Sequence, residues 1–303
     1  MQINRITPTV RELAHGLQFP EGPIALADGS VILVEMRRQT LSRVRSDGRV
    51  EIVAELGGGP NGAAVGPDGL IYVTNNGGPE WITDQHGNTL PLSPVAGSGS
   101  IQVVEPRTGK VRTLYDRCDG RPIGSPNDLV FDDHGGFWFT DFGTYRPGRS
   151  DRGGIYHARA DGSRIEARDF ALEHPNGIGL SPDGKRLYVA ETPTGRCLAH
   201  GLDGPGVLAG DGGQVLAALD GQFLDSLAVD AAGHVCVATL VTGAVSDIWP
   251  DGSRVDQYLL PDPILTNVCF GGAEGRTAFA TLSLSGRLVA FDWPRPGLLR
   301  QVA

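Results

Sequence analysis

The segment NGIGLSPDGKRLYVA at residues 176–190 contains the pattern that decides the fold. A short apolar run is followed by Ser-Pro-Asp-Gly and then by a second apolar run. The Asp-Gly pair supplies the positive φ that a tight hairpin turn requires, and apolar runs this short are typical of strands. The segment therefore predicts two antiparallel strands joined by a tight turn.

The same pattern occurs six times along the chain, with a glycine eight residues after the start of each copy. The copies begin at Glu21, Asn61, Asn127, Asn176, Asp225 and Asn267. Their glycines are Gly29, Gly69, Gly135, Gly184, Gly233 and Gly275. Successive copies begin 40, 66, 49, 49 and 42 residues apart. Four-stranded propeller blades repeat at about this interval.

Turn sequences such as SDGR, PRTGK and PDGS indicate a second hairpin in each unit, and two hairpins make one four-stranded blade. The sequence therefore predicts an all-β protein, a six-bladed β-propeller that forms a single domain over residues 1–303. We expect the last apolar segments, GRLVAFDW and LLRQVA, to close the ring against the N-terminal segment.

The spacing of 66 residues contains an insertion at about residues 75–100 that is rich in Gly, Pro, Asn and Ser and carries Trp81. Long loops inside compact folds are more often functional than accidental. Two interpretations remain open for this insertion. It is either a lid over one face of the channel or an ordinary surface loop.

The bulk properties of the chain exclude several classes of function. The formal net charge of −9 disfavours nucleic acid as a partner, because phosphate binding needs a basic face. None of the four cysteines forms a CxxC pair, and no stretch reaches membrane-spanning length. We expect a cytoplasmic protein without a membrane partner, present as a monomer or homodimer.

The six residues that begin the repeats all carry side-chain oxygen, and the first strand of a propeller blade lines the central channel. Asparagine at strand starts is common for local structural reasons, but Glu21 and Asp225 are not explained in this way. Two carboxylates in a narrow channel repel each other, and burial adds to the cost of ionising them. A divalent cation held by oxygen ligands removes that cost. The sequence therefore predicts one divalent metal in the channel.

Three motifs together resemble the senescence-marker-protein/gluconolactonase group, which includes regucalcin. These are FPEGP at 19–23, SPNDLVFDDHGGFWFTDFG at 125–143 and HPNGIGLSPDGKRLYVAET at 174–192. The resemblance covers essentially the full length. It implies that Glu21, Asn176 and Asp225 are metal ligands, and that Asn127 is a ligand or contacts bound water or substrate. It favours Ca²⁺ and allows Zn²⁺, Mn²⁺, Fe²⁺ or Mg²⁺.

The chain departs from part of this group at Ser125, where animal relatives carry a sugar-binding arginine. The residues expected near the channel mouth are rather apolar: Phe19, Trp81, Phe142, Tyr145 and Phe223. We predict substrate contacts from Asn61, Asn127, Trp81, Tyr145 and His174, although the sequence around His174 favours a turn histidine over a residue near the channel. Asn61 and Asn267 are either structural or directed at substrate.

The resemblance implies a metal-dependent hydrolase that opens a small lactone, either a sugar aldonolactone or a related cyclic ester. Asp225 is the expected general base, with a role as a metal ligand alone as the alternative. Two other functions remain open. Related propellers with a similar Glu/Asn/Asn/Asp set hydrolyse phosphotriesters, as diisopropylfluorophosphatase does, and a non-catalytic metal-binding propeller is the third interpretation.

Overall fold

Six antiparallel sheets are arranged as the blades of a propeller around a central channel, which confirms the predicted fold class. The computed structural model describes residues 2–92, 98–146, 149–210 and 212–298. Within these ranges no helix is long and apolar enough to cross a membrane.

Each blade has four strands that run outward from the channel in chain order, except that blade six takes its outermost strand from the N-terminal segment. The innermost strands of blades one to six are Pro20–Ala25, Pro60–Val65, Pro126–Phe131, Pro175–Leu180, Phe223–Val229 and Leu265–Gly271. The second strands are Val31–Glu35, Ile71–Asn75, Gly136–Asp141, Arg186–Glu191, Val235–Leu240 and Thr277–Leu282. The third strands are Thr40–Val44, Ser100–Glu105, Gly153–Arg159, Arg196–Gly204, Ala244–Ile248 and Arg287–Asp292. The outermost strands are Val50–Glu55, Lys110–Tyr115, Ile165–Leu172, Gln214–Ala218, Arg254–Leu259 and Arg11–Ala14.

The remaining strands decorate this ring. Gln2–Ile6 adds a fifth, parallel strand to blade five, and Val207–Leu208 pairs with the third strand of blade four. Three small hairpins are formed by Glu80–Thr83 with Thr89–Leu92, Arg117–Cys118 with Arg121–Pro122, and Thr144–Arg146 with Arg149–Asp151. The first of these hairpins lies in the insertion at about residues 75–100.

The ring closes where the two ends of the chain meet in blade six. Arg287–Asp292, which lies within the predicted GRLVAFDW segment, pairs antiparallel with Arg11–Ala14 of the N-terminal segment. Most of LLRQVA lies outside the described residues, and its first residue, Leu298, hydrogen-bonds through its backbone N–H to the carbonyl of Val229 in blade five.

The apolar core is divided into six clusters, each placed between two neighbouring blades. Between blades three and four, for example, Trp138, Leu187 and Val189 are almost completely buried. Propeller blades bury both faces in this way, which explains why their middle strands read as continuous apolar runs rather than as alternating ones.

Each innermost strand contains a β-bulge at or next to the residue that begins the repeat. A bulge inserts an unpaired residue and redirects its side chain. Glycine follows the first residue in three of the repeats, because the neighbouring innermost strand passes very close. A Cβ on Gly177 would lie 2.4 Å from the backbone nitrogen of Leu227, and one on Gly22 would lie 2.7 Å from that of Ala63.

A buried ion-pair network anchors the segment after the last strand to blade five. The Arg295 guanidinium bonds to Asp230 and, at 2.5 Å, to Asp247, whose other carboxylate oxygen lies 2.8 Å from Nδ1 of His234. Both carboxylates are fully buried. Removing the guanidinium of Arg295 would leave two buried carboxylates without their positively charged partner.

We predict that Arg295→Met lowers the free energy of unfolding by about 3 kcal/mol, because uncompensated buried carboxylates are strongly unfavourable. Urea denaturation measures this change. Arg49→Met is the matched control, because Arg49 pairs with Asp47 on an exposed turn. The control is expected to change stability by less than about 0.5 kcal/mol. Equal effects of the two substitutions would contradict the structural role of the network.

Candidate functional site

The six residues that begin the repeats form a buried ring around the channel, which we call the oxygen ring. Its members are Glu21, Asn61, Asn127, Asn176, Asp225 and Asn267, and they are 3–7% exposed. Neighbouring innermost strands contact each other all the way around, from blade one through blade six and back to blade one. Six separate blades therefore each supply one oxygen-bearing side chain to a single place.

Glu21 is held on one side of the ring by its neighbours. Its Oε2 accepts hydrogen bonds from Nδ2 of Asn267 at 3.0 Å and from the backbone N–H of Gly22 at 2.9 Å. The Asn267 side-chain oxygen in turn accepts the N–H of Val268 at 2.8 Å. Both ends of the Asn267 amide are thus engaged, and this residue orients Glu21.

Two of the fully buried side-chain oxygens in the oxygen ring have no hydrogen-bond partner. They are the Oδ1 atoms of Asn127 and Asn176, and both are inaccessible to water. The Nδ2 of Asn176 donates to Thr192 at 3.2 Å, so its amide is fixed with the oxygen unpaired. Buried polar atoms without partners are rare in folded proteins, and a bound ion is one established explanation. A Ca²⁺ ion binds oxygen at about 2.3–2.6 Å, which is shorter than the hydrogen-bond distance between water and an oxygen. A cation can therefore reach an oxygen that is too deeply buried for water.

The charges of the oxygen ring are concentrated on Glu21 and Asp225. Burial raises the pKa of Glu21 to about 8, against the lowering effect of the hydrogen bonds from Asn267 and Gly22. Burial also raises the pKa of Asp225 well above its ordinary value, and the nearby charge of Glu21 raises it further. The amide of Asn176 acts in the opposite direction on Asp225. The structure therefore brings Glu21, Asn176 and Asp225 into one electrostatic unit.

A third buried carboxylate, Asp128, was not predicted from the sequence. It follows Asn127 and is 6% exposed, and burial raises its pKa to about 7. Its charge also raises the pKa values of Glu21 and Asp225. One signal was available: glycine follows the first residue in the repeats of blades one, two and four, and an acid replaces it in blade three.

Below the oxygen ring the channel continues as a cavity of about 960 Å³. Asp128 lies at its wall, together with apolar side chains from every blade, among them Ile24, Val130, Ala228 and Cys269. This apolar wall explains the direction of the pKa shifts, because the ring carboxylates lie against a poorly solvating surface on one side.

A second set of side chains fixes the loops that lead into the innermost strands of blades one to four. The last residue of each second strand accepts a backbone N–H from the loop just before the innermost strand. These pairs are Glu35 with Gln18 at 2.7 Å, Asn75 with Gly59 at 2.9 Å, Asp141 with Ser125 at 2.8 Å, and Glu191 with Glu173 at 2.8 Å. The loops carry the residues that lie above the oxygen ring, so these bonds position the channel mouth.

The insertion hairpin reaches this mouth beside blade one. The Trp81 ring packs edge-to-face on the Phe19 ring, with centroids 5.3 Å apart. Phe19 precedes Glu21 by two residues and has a φ of 56°, in the left-handed region. Whether the insertion acts as a lid stays a prediction.

His174 occupies the corresponding place in blade four, two residues before Asn176, and also has a left-handed φ, of 52°. It is 1% exposed, its Nε2 lies 2.8 Å from the Ser150 hydroxyl, and its Nδ1 lies 2.9 Å from the Phe142 carbonyl. Both ring nitrogens are therefore engaged within the protein, and the predicted substrate contact of His174 stays a prediction. Tyr145 lies in the strand Thr144–Arg146, but its side chain is outside the described residues.

Within the described residues, Asp230, Cys236 and Asp247 form a second group whose ligand atoms lie within 4.8 Å of one another. The Arg295 guanidinium already bonds to both carboxylates, so positive charge is supplied by the protein itself. The oxygen ring differs in this respect: its carboxylates face neutral amides, two of which have unpaired oxygens. The oxygen ring therefore fits a divalent cation, and the blade-five group is a structural ion-pair network.

Curated relatives of this chain include lactone hydrolases. The chain is 26% identical over 312 residues to a gluconolactonase of Zymomonas mobilis, covering 92% of this chain and 80% of the relative. It is 32% identical over 137 residues to the lactonase drp35 of Staphylococcus aureus, over 45% of this chain and 42% of the relative. This kinship supports a lactonase-type function.

Solved structures with the same fold include a gluconolactonase of Xanthomonas campestris, with a TM-score of 0.76, 22% identity, and coverage of 94% of this chain and 89% of that one. Another is a calcium-binding protein, regucalcin, of Agrobacterium tumefaciens, with a TM-score of 0.76, 19% identity, and coverage of 99% and 100%. The family model described as "SMP-30/Gluconolactonase/LRE-like region" matches residues 19–283, which include the complete oxygen ring. This chain belongs to the SMP-30/gluconolactonase/LRE-like family.

Proposed function

We propose that this protein is a metal-dependent lactonase whose cation is bound by Glu21, Asn127, Asn176 and Asp225. The observation that carries the proposal is the pair of buried, unpaired amide oxygens beside two buried carboxylates. Two negative charges match a divalent cation, and neutral amide oxygens complete a hard, oxygen-only ligand set. The lactone-hydrolysing relatives supply the reaction class.

We propose Ca²⁺ as the first candidate for the cation, because it takes six to eight oxygen ligands in flexible geometry. Zn²⁺, Mn²⁺, Fe²⁺ and Mg²⁺ also bind oxygen donors, and elemental analysis of the purified protein distinguishes among them. The chemistry that such a cation supplies is polarisation of the lactone carbonyl and stabilisation of the negative charge that develops on its oxygen.

The chain's own residues supply the proton transfers. A carboxylate oxygen of Asp225 receives a proton from the attacking water, whose oxygen forms a bond to the carbonyl carbon. The ring C–O bond then breaks, and the ring oxygen takes up that proton to leave as the hydroxyl of the open hydroxy acid. Burial and the charge of Glu21 raise the pKa of Asp225 in metal-free protein, and a bound cation would offset that rise and keep the carboxylate ionised to accept the proton.

Residues around the mouth hold the substrate in this proposal. Asn61 completes the polar lining of the channel in blade two, and Trp81 contributes an apolar surface from the insertion hairpin. Asn127 either binds the cation directly or contacts the water or substrate beside it. Tyr145, on the strand Thr144–Arg146, and His174, in the loop before the innermost strand of blade four, are the other substrate contacts in this proposal.

Replacing a charged ligand tests the metal site. We predict that Glu21→Gln lowers both the bound metal content and kcat/KM, the latter by at least about 100-fold, because half of the charge that matches the cation is lost. Elemental analysis and a lactone assay measure the two effects. Glu12→Gln, on the exposed outermost strand of blade six, is the control and keeps both values. Full metal content together with full activity in the Glu21 variant would refute the ligand assignment.

Asp225→Asn separates the general base from the ligand role. The amide keeps an oxygen donor but cannot accept the proton, so we expect kcat to fall about 10²–10⁴-fold in protein that is saturated with metal. The assay is run with metal in excess, and metal occupancy is verified on the same sample. A fully loaded variant with unchanged kcat would leave Asp225 as a ligand only.

The pKa shifts predict how the stability of metal-free protein depends on pH. The folded state holds protons on Glu21 and Asp128 more tightly than the unfolded chain, since both pKa values are raised. The stability that these two groups contribute is therefore fully present below their unfolded pKa values. It is lost as pH rises towards about 7 to 8. In chelator, Tm should fall between about pH 5 and pH 8, by about 2–4 °C for each kcal/mol lost.

Excess divalent cation should abolish this decline, because it compensates the carboxylates in the folded state only. The double variant Glu21→Gln with Asp225→Asn should also show a flatter profile in chelator. A Tm that rises from about pH 5 to pH 8 in chelator would show that these carboxylates are not buried without a counter-charge.

A further inference from the structure

A layer of six residues lies immediately above the oxygen ring, each two positions before a ring residue. We call it the entrance layer, and it consists of Phe19, Gly59, Ser125, His174, Phe223 and Leu265. In blades one to four these residues occupy equivalent places, because the carbonyl of each accepts the N–H of the first residue after the second strand. A substrate that reaches the oxygen ring from this mouth passes the entrance layer.

The entrance layer has few free hydrogen-bonding side chains for a molecule with many hydroxyl groups. Its polar side chains are those of Ser125 and His174, which are 3% and 1% exposed. Both ring nitrogens of His174 already have partners in the protein. The side chain with the largest exposed fraction in the layer is Phe223, at 40%. Hydroxyl groups that lose water at this mouth would therefore find few replacements for their hydrogen bonds.

The aromatic surface at the mouth is extended by the insertion hairpin. Trp81 is half-buried and packs edge-to-face on Phe19. Phe19 has the left-handed backbone that residues with a β-carbon rarely adopt, and its carbonyl is fixed by the N–H of Met36 at 3.0 Å. Unfavourable backbone conformations of this kind persist where the surrounding structure enforces them, and they concentrate at functional sites. Here the conformation sets the direction of an aromatic ring two residues from a proposed metal ligand.

We propose that the substrate is a lactone with an apolar substituent, alkyl or aryl, and that Trp81 with Phe19 forms the surface on which this substituent lies. The inference rests on the lactonase function proposed above. In this arrangement the oxygen ring acts on the lactone carbonyl, and the substituent points outward to the hairpin. Trp81 is then a specificity-determining residue. It lies in the insertion that separates the second repeat from the third.

Three lactones with the same six-membered ring test this proposal: δ-valerolactone, which has no substituent, δ-nonalactone, which has a butyl group, and D-glucono-δ-lactone, which is polyhydroxylated. Each is assayed on metal-loaded protein with the uncatalysed rate subtracted. We expect kcat/KM for δ-nonalactone to exceed that for D-glucono-δ-lactone by at least about 10-fold, because an apolar surface discriminates in this range.

Substitution of Trp81 tests whether this residue causes the preference for a lactone with an apolar substituent. In Trp81→Ala the ratio of kcat/KM for δ-nonalactone to that for δ-valerolactone should fall by about 10-fold, and Trp81→Phe should restore most of it. Ile82→Ala is the matched control, because Ile82 is the next residue on the same strand and is 49% exposed. It should keep the wild-type ratio. Thermal denaturation verifies that all three variants are folded.

Hydrolysis of lactones with a preference for D-glucono-δ-lactone would overturn this inference and leave the lactonase function standing. So would a ratio that is the same in Trp81→Ala and Ile82→Ala. Failure of the metal-loaded protein to hydrolyse any of the three lactones would overturn the proposed function as well.

Discussion

Burial of like charges in the channel is the constraint on which the arrangement of this molecule depends. Glu21 and Asp225 come from blades one and five, and each raises the free energy of ionising the other in a place that is largely shielded from solvent. Apolar residues at these two positions would make the fold at least as stable, so stability alone does not explain the buried carboxylates. Their neighbours are instead amides, and two of these have oxygens aimed at no donor. The site is arranged to receive positive charge.

The backbone makes this convergence possible. Bulges in the innermost strands redirect one side chain per blade towards the axis, and glycines beside them allow the strands to approach closely. Gly22 and Gly177 could not carry a side chain without moving the next blade. The six cores between blades then fix each blade against its neighbours, and the Arg295 network anchors the segment after the last strand to blade five. Precise placement of the oxygens is thus a property of the whole ring and not of any one blade.

The repeat in the sequence was enough to predict the six blades and the six residues of the oxygen ring, because both depend on local turn chemistry and strand periodicity. Asp128 escaped prediction, because an acid in place of the glycine of three other repeats is a weak signal, and the structure is needed to place that residue at the channel wall. The pairing of Phe19 with Trp81 joins two loops, and no local pattern records such a contact. Local sequence patterns therefore predict the propeller and its oxygen ring. The shape of the channel mouth depends on contacts between distant segments, which such patterns do not contain.

Closure of blade six by strands from both ends has a consequence for how the protein is made. The strand Arg11–Ala14 has to wait for its partner Arg287–Asp292, which is synthesised only after the five blades that lie between them in the chain. At about 5–20 residues per second, synthesis of such a chain takes about 15–60 s. Until blade six is made, the face of blade one that it covers stays exposed, and so does that of blade five once blade five has formed. An unfinished ring therefore exposes apolar surface that the closed ring buries against blade six.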